Sequence, residues 1–320
     1  MAKVQTVLGP VDARELGVSL MHEHLMIGWP GWEADVKSAQ PTRSDSFKLC
    51  IDRIEELKGH GMRTLLDPCP IDLGRNVEFA AEVAQRTGIN LICATGLYKE
   101  DLGANAYFRF RAGFQDVIAE MAEIFEGEIR DGIGETRIKA GIIKVATGEG
   151  QITPYEETVL RAAARAHKAT GVPITTHTEH GTMGPQQLDI FAAEGVDLSH
   201  VIVGHSCGNS DLRYHTSMLD RGCYLGFDRF GLEILQPDRL RKAALAGLIA
   251  IGFDHRMVLS HDSVWCWLGR PLPRNVGTLD NWEPTFVFRE IVPWLRDAGV
   301  SQVKIDNLLV QNPRRFFEGQ

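Results

Sequence analysis

The sequence predicts a (β/α)₈ barrel. Three observations carry that expectation: short apolar runs alternate with amphipathic stretches, there are eight such runs, and no boundary interrupts the 320 residues. Each run has the length and composition of a buried strand, stops at a polar residue and is followed by helical periodicity. Parallel strands need long crossovers, so this alternation implies repeated β-α units. Eight units fit one barrel, whose usual size of about 250 residues stretches past 400 with insertions. At this length the choice lies between two domains and one large barrel. No low-complexity segment, charge block or Ser/Gly-rich linker marks a division, so residues 1–320 read as a single domain. An open doubly wound sheet would carry a glycine-rich phosphate loop after its first strand. Neither G-x-G-x-x-G nor G-x-x-x-x-G-K-[ST] occurs.

In chain order, Val18-Ser19-Leu20-Met21 leads to His22-Glu23-His24, and Arg63-Thr64-Leu65-Leu66 ends at Asp67-Pro68. Ile89 to Ala94 ends at Thr95-Gly96, Ala140-Gly141-Ile142-Ile143 runs into Lys144, and Val172 to Thr176 into His177. Val201-Ile202-Val203-Gly204 meets His205, Cys223 to Phe227 meets Asp228, and Met257 to Ser260 meets His261-Asp262. Between the runs, Phe47 to His60 puts Leu49, Cys50, Ile54 and Leu57 on one helical face before Gly61. Pro154 to Thr170 opens with Thr153 as N-cap and a first-turn proline, and stops at Gly171. Asn76 to Arg86, Pro185 to Ala193, Arg239 to Leu248 and Phe286 to Asp297 read similarly.

The formal net charge is -8, with 34 Lys+Arg against 42 Asp+Glu, which makes nucleic acid or an anionic membrane a poor partner. No apolar run approaches the roughly 20 residues of a membrane helix. No basic-then-apolar leader opens the sequence, and a cytoplasmic enzyme is expected. Cys50, Cys69, Cys93, Cys207, Cys223 and Cys266 are scattered without a C-x-x-C pair, against both a disulfide framework and a zinc ribbon. They read as small core residues.

In a barrel, function sits where strands end. His22 and His24 are two apart and share one face of an extended segment, with Glu23 pointing the other way. An isolated H-x-H arises by chance, His177 or His205 alone reads as an ordinary histidine, and Asp262 alone as a helix cap. Together, four histidines and an aspartate at the ends of runs one, five, six and eight suit a borderline cation such as zinc. Five ligands exceed what one catalytic zinc needs, so two metals fit. Lys144 ends an apolar run, where a buried ammonium costs several kcal/mol unless paired or neutralised. It either snorkels to a carboxylate or, after capturing carbon dioxide, becomes a carbamate able to bridge two ions.

The segments Met21-His22-Glu23-His24, Lys139 to Lys144, Thr176-His177-Thr178, Gly204-His205 and Leu259-Ser260-His261-Asp262 together resemble the phosphotriesterase family of the amidohydrolase superfamily. Asn312-Pro313-Arg314-Arg315 matches the family's C-terminal pattern, and the resemblance covers nearly the whole chain. It implies a binuclear centre: His22, His24 and Asp262 on a buried metal, His177 and His205 on a more exposed one, carbamylated Lys144 and a hydroxide bridging both. Zinc is expected, with cobalt, manganese or iron as alternatives. The chain is most similar to the phosphotriesterase-like lactonases. Ala94-Thr95-Gly96-Leu97-Tyr98 resembles the motif whose tyrosine lies beside the exposed metal. Gly226 to Gly231 resembles the motif whose arginine, here Arg229, lines the substrate entrance. Read without the resemblance, Tyr98 is an amphipathic aromatic, and Arg229 pairs with Asp228 or Glu233.

Departures from the family fall at Ser206 to Asp211, Glu100 to Phe108 and Ser263 to Trp282. The last carries Trp265, Trp267 and Trp282 with Leu268, Pro271 and Leu272, and Ile27 to Trp32 adds two further tryptophans. Such segments either line an apolar pocket or pack in a homodimer interface. The expected activity is hydrolysis of a small-molecule lactone, with Asp262, Tyr98 and Arg229 in catalytic roles. Organophosphate triester or aryl-ester hydrolysis at the same site is the alternative. A non-catalytic metal-binding barrel is the reading from a different class, and it leaves the complete ligand set without a purpose.

Overall fold

The computed structural model describes residues 2–37, 41–270, 272 and 279–320. Pro271, in the segment expected either to line an apolar pocket or to pack in a homodimer interface, lies outside the described residues, as does most of the segment around it. Eight parallel strands form one sheet, in chain order around the barrel: β1 (Val18–Leu20), β2 (Met62–Asp67), β3 (Asn90–Gly96), β4 (Ile142–Thr147), β5 (Ile174–Thr178), β6 (Val201–Val203), β7 (Tyr224–Phe227) and β8 (Met257–Leu259). The predicted (β/α)₈ barrel is the fold.

The alternation of side chains along each strand decides what faces inward. Leu66, Ile92, Ala94, Ile142, Ile202, Tyr224 and Val258 fill the barrel interior, closed below by Val4 and Phe316. Their neighbours Leu65, Leu91, Ile143, Val145 and Leu225 face the surrounding helices. The hairpin Lys3–Thr6/Gly9–Asp12 seals the N-terminal end, where Val7 N–H reaches Leu91 O at 2.9 Å. A side chain on Gly141 would meet Gln5 O at 2.2 Å, so only glycine admits this plug.

Between β1 and β8 the ladder is weak, with Met21 N–H 3.5 Å from Leu259 O. The two chains instead re-pair above the barrel as a parallel ribbon, His24–Ile27 against Val264–Trp267. Glu23 pins this crossing. Its buried carboxylate accepts from Ser260 Oγ (2.9 Å), His261 N–H (2.8 Å) and Ser263 N–H (3.1 Å), so it points away from His22 and His24, as expected.

Pro154–Thr170 forms with its expected ends, Thr153 and Glu156 making a capping box and Gly171 the left-handed C-cap. Arg43–Gly59 starts earlier than the apolar pattern indicated, because Thr42 caps it through Asp45 N–H. The helix expected over Phe286 to Asp297 is divided. Val287–Ile291 is a π turn in which Val292 N–H bonds Val287 O, and α-helix resumes over Val292–Asp297. Asn307–Gln311 precedes Asn312–Glu318 in the same way. In both cases a proline, Pro293 or Pro313, follows the turn; it brings no N–H to an i→i−4 ladder. Val117–Arg130, not anticipated, buries Met121, Ala122 and Phe125. Phe125→Ala is expected to cost about 3–5 kcal/mol in urea unfolding, because the residue is fully buried between helices. A loss below 1 kcal/mol would mean the helix does not pack as described.

Candidate metal centre

His22, His24, Tyr98, Lys144, His177, His205, Arg229 and Asp262 all face one cavity of about 140 Å³ at the C-terminal ends of the strands. Lys144 and His177 were expected where their runs stop. They lie instead inside β4 and β5, which stay paired through Thr147 and Thr178 although the apolar runs end earlier. Lys144 shares the inward face with Ile142, and only 2% of it is exposed. His205 and Asp262 sit just beyond β6 and β8 with φ of 57° and 54°. Left-handed backbone at non-glycine residues costs about 1–3 kcal/mol and persists where surrounding contacts enforce it. Those contacts are His205 N–H to Asp228 Oδ1 and Asp262 N–H to His22 O, both 2.9 Å.

The imidazoles are oriented by carboxylates behind them. His22 Nδ1 lies 3.1 Å and His205 Nδ1 2.9 Å from Asp228, and His24 Nδ1 lies 3.0 Å from Asp67. Their Nε2 atoms therefore face the cavity, at 3.4, 3.7 and 3.3 Å from the Asp262 carboxylate. His177 is turned round: Nε2 meets Glu179 at 3.0 Å, leaving Nδ1 3.4 Å from Tyr98 Oη. Lys99 holds Glu179 at 2.8 Å. An imidazole with one nitrogen on a carboxylate and the other open is the arrangement metal-ligating histidines adopt. The atoms of His22, His24 and Asp262 lie close enough together to hold one ion. The donor set thus fits a divalent cation.

Burial lowers His22, helped by Lys144, and brings His177 down to about 4; it also lowers His205, helped by Arg229. Those shifts favour the neutral imidazole, the form that ligates, whereas at His24 burial acts the same way but Asp262 and Asp67 outweigh it and raise the ring well above its ordinary value. Burial opposes the charge of Asp262, but His205, His22 and Arg229 outweigh it and hold the carboxyl well below its ordinary value. Burial lowers the Lys144 ammonium to about 8, against the pull of Asp262 and Asp228. Its Nζ is 3.1 Å from His22 Nε2.

Arg229 pairs with neither Asp228 nor Glu233. Its Nε donates to Asp262 Oδ2 at 2.9 Å, because Asp228 is already engaged by two histidines. Three of the five tryptophans in these segments take the pocket role. Trp29 and Trp267 stack at 5.4 Å and, with Trp282, line the cavity, while Trp265 is buried beneath. Sequence reasoning missed Asp67, Asp228, Glu179 and Asp72, whose carboxylate receives Tyr98 N–H at 3.0 Å. Asp67 and Asp228 do stand at run ends, a signal shared with the assigned histidines. Nothing local marks Glu179 or Asp72.

Asp228→Asn is expected to weaken divalent-ion binding about 10- to 100-fold, since one side chain orients both His22 and His205. Titration of metal-free protein checks this, and unchanged affinity would remove Asp228 from that role.

The phosphotriesterase-family sequence profile matches residues 2–317. The chain belongs to the phosphotriesterase family. This phosphotriesterase-family chain is 39% identical over 325 residues to the phosphotriesterase homology protein of Mycobacterium tuberculosis, spanning all of this chain and 99% of that one. It is 30% identical to the phospho-furanose lactonase of Mycoplasmopsis synoviae, covering 98% and 91% of the two chains. The organophosphorus hydrolase from Deinococcus radiodurans superposes with a TM-score of 0.96 at 40% identity, covering 99% of this chain and 97% of that one. The family is binuclear and metal-dependent, its relatives are hydrolases, and this member is a hydrolase. No helix among its described residues is long and apolar enough to cross a membrane.

Proposed function

We propose that this enzyme hydrolyses neutral, apolar lactones. The observation that carries this reading is the state of the cavity's cations. Arg229 is committed to Asp262 and Lys144 to the ligand cluster, while Ile27, Trp29, Leu73, Val264 and Trp267 form an apolar wall. Among the described lining residues Arg229 and Lys144 are the only lysine or arginine side chains, and each already faces a residue of the ligand cluster.

His22, His24 and Asp262 would hold one divalent ion, His177 and His205 a second, with Lys144 as a carbamate between them; zinc suits this nitrogen and oxygen donor set. Bound there, two such ions supply Lewis acidity and lower the pKa of water toward neutrality. Burial of Lys144 favours its neutral amine, the form that takes up carbon dioxide. Tyr98 keeps its proton, because burial pushes its phenol up, so Oη can donate to the lactone carbonyl oxygen as negative charge develops. Asp262 accepts the attacking water's proton and returns it to the departing alkoxide. Arg229 holds that carboxylate ionised and aimed at 2.9 Å.

A neutral phosphotriester suits the same apolar wall and is the second reading. Parallel assays on an apolar lactone, a phosphorylated furanose lactone and an aryl phosphotriester test both. We expect kcat/KM on the apolar lactone to exceed that on the phosphorylated one by about 10²-fold or more. A preference for the phosphorylated lactone would overturn the reading.

A homodimer belongs to the same proposal. Its support lies away from the tryptophans, in Tyr107, Phe110 and Phe114, which are 60, 67 and 68% exposed along one short segment. Six free, buried cysteines support a reducing, cytoplasmic setting.

A further inference from the structure

Helix Arg43–Gly59 buries Cys50 against the ribbon strand Val264–Trp267, where Cys266 lies. The two sulfurs are 4.0 Å apart. Cys69, Cys93 and Cys223 instead direct their S–H groups at the carbonyls of Leu73, Lys139 and Met218. Cys50 and Cys266 are the pair whose closest polar company includes each other, and the reaction assigned above uses neither.

We propose that Cys50 and Cys266 are a redox modification site, oxidised by a peroxide to a disulfide that ties helix Arg43–Gly59 to the cavity-wall ribbon. A disulfide needs the sulfurs at about 2.05 Å. Closing the gap therefore takes side-chain rotation and a small shift of the strand. Cys266 is the attacking group, because it is the less buried of the two, 4% against 0% exposed, and its contact with Cys50, reinforced by Ser46 and Arg53 against burial, lowers its pKa. Its thiolate attacks one peroxide oxygen, forming an S–O bond as the O–O bond breaks, and hydroxide leaves to take up a proton as water. Cys50 sulfur then attacks the sulfenic sulfur. The S–S bond forms, the S–O bond breaks, and hydroxide departs with the Cys50 proton as a second water. Two thiols are oxidised and one peroxide is reduced; dithiols reverse the change by exchange.

The bond would act on the cavity through its neighbours. Cys266 pairs in register with Met26, and Val264, Trp267 and Ile27 on the two strands line the cavity. This consequence rests on the lactonase reading, while formation of the bond does not.

The test treats the full-length enzyme with hydrogen peroxide, then counts thiols after denaturation and maps peptides without reductant. We expect the thiol count to fall by two from six, a mass loss of about 2 Da, and a link joining the Cys50 and Cys266 peptides. Cys50→Ser should block the link and leave a sulfenic acid on Cys266 that a dimedone probe captures. The kcat/KM on an apolar lactone should fall about tenfold and recover with dithiothreitol. An unchanged thiol count, or a link between other cysteines, overturns the modification site. A reversible bond with unaltered kcat/KM overturns its coupling to the cavity. A chain that forms the bond but hydrolyses no lactone leaves this site standing and overturns the function proposed above.

Discussion

Asp262→Asn is expected to lower kcat by about 10³-fold or more while far-UV circular dichroism stays unchanged. Three histidine Nε2 atoms and Arg229 converge on this one carboxylate. The amide keeps an acceptor for Arg229 Nε, so the guanidinium retains a partner and the fold survives. It cannot take up a proton at neutral pH, and it is a poorer ligand for a cation. Both assigned roles, proton carrier and metal ligand, are therefore lost together. Steady-state kinetics on the best lactone checks this. Turnover within tenfold of the parent would place the chemistry on another residue.

Lys144→Met comes next in size. Methionine is of similar length and apolar, so it suits a site only 2% exposed and removes the cost of burying an amine. The metal-free variant should be at least as stable as the metal-free parent. Metal analysis of the reconstituted parent should find about two ions per chain, and of the variant fewer than one. Zinc should raise the parent's Tm by about 5 °C, because a ligand that binds only the folded state stabilises it, and the variant should lose most of that gain. A variant that still holds two ions would show that Lys144 does not bridge them.

How much of this was legible beforehand depends on distance along the chain. The apolar runs headed by Val18, Ala140 and Val201 did become barrel strands, the second beginning at Ile142, because a strand buried on both faces must be apolar along its length. Pro154–Thr170 was legible to the residue, since its caps are local chemistry. The ends of β4 and β5 were not. Val145 to Thr147 and Thr178 are paired by neighbouring strands, and that pairing overrides the polarity that marked a stop. The π turns before Pro293 and Pro313 were hidden for a related reason: a proline signals a break, while helices packed on both sides carry the chain through it.

At the site, residue type and position were enough to single out His22, His24, Lys144, His177, His205 and Asp262. A barrel with eight parallel strands puts every strand end on one face, so a list of polar run ends is already a list of neighbours. Which neighbour touches which was beyond its reach. Arg229 found Asp262, 33 residues away, and Asp228 took His22, 206 residues away. Glu179 turned His177 so that Nδ1 faces the cavity, and the tryptophans stacked inward instead of outward. The sequence by itself determined the fold class and the residue types that gather at the strand ends, because these follow from periodicity and from the donor atoms each side chain carries. Only the tertiary structure decided the pairings, the ring orientations and the uncharged cavity wall, because a hydrogen bond is settled within about 3 Å and sequence separation carries no distance on that scale.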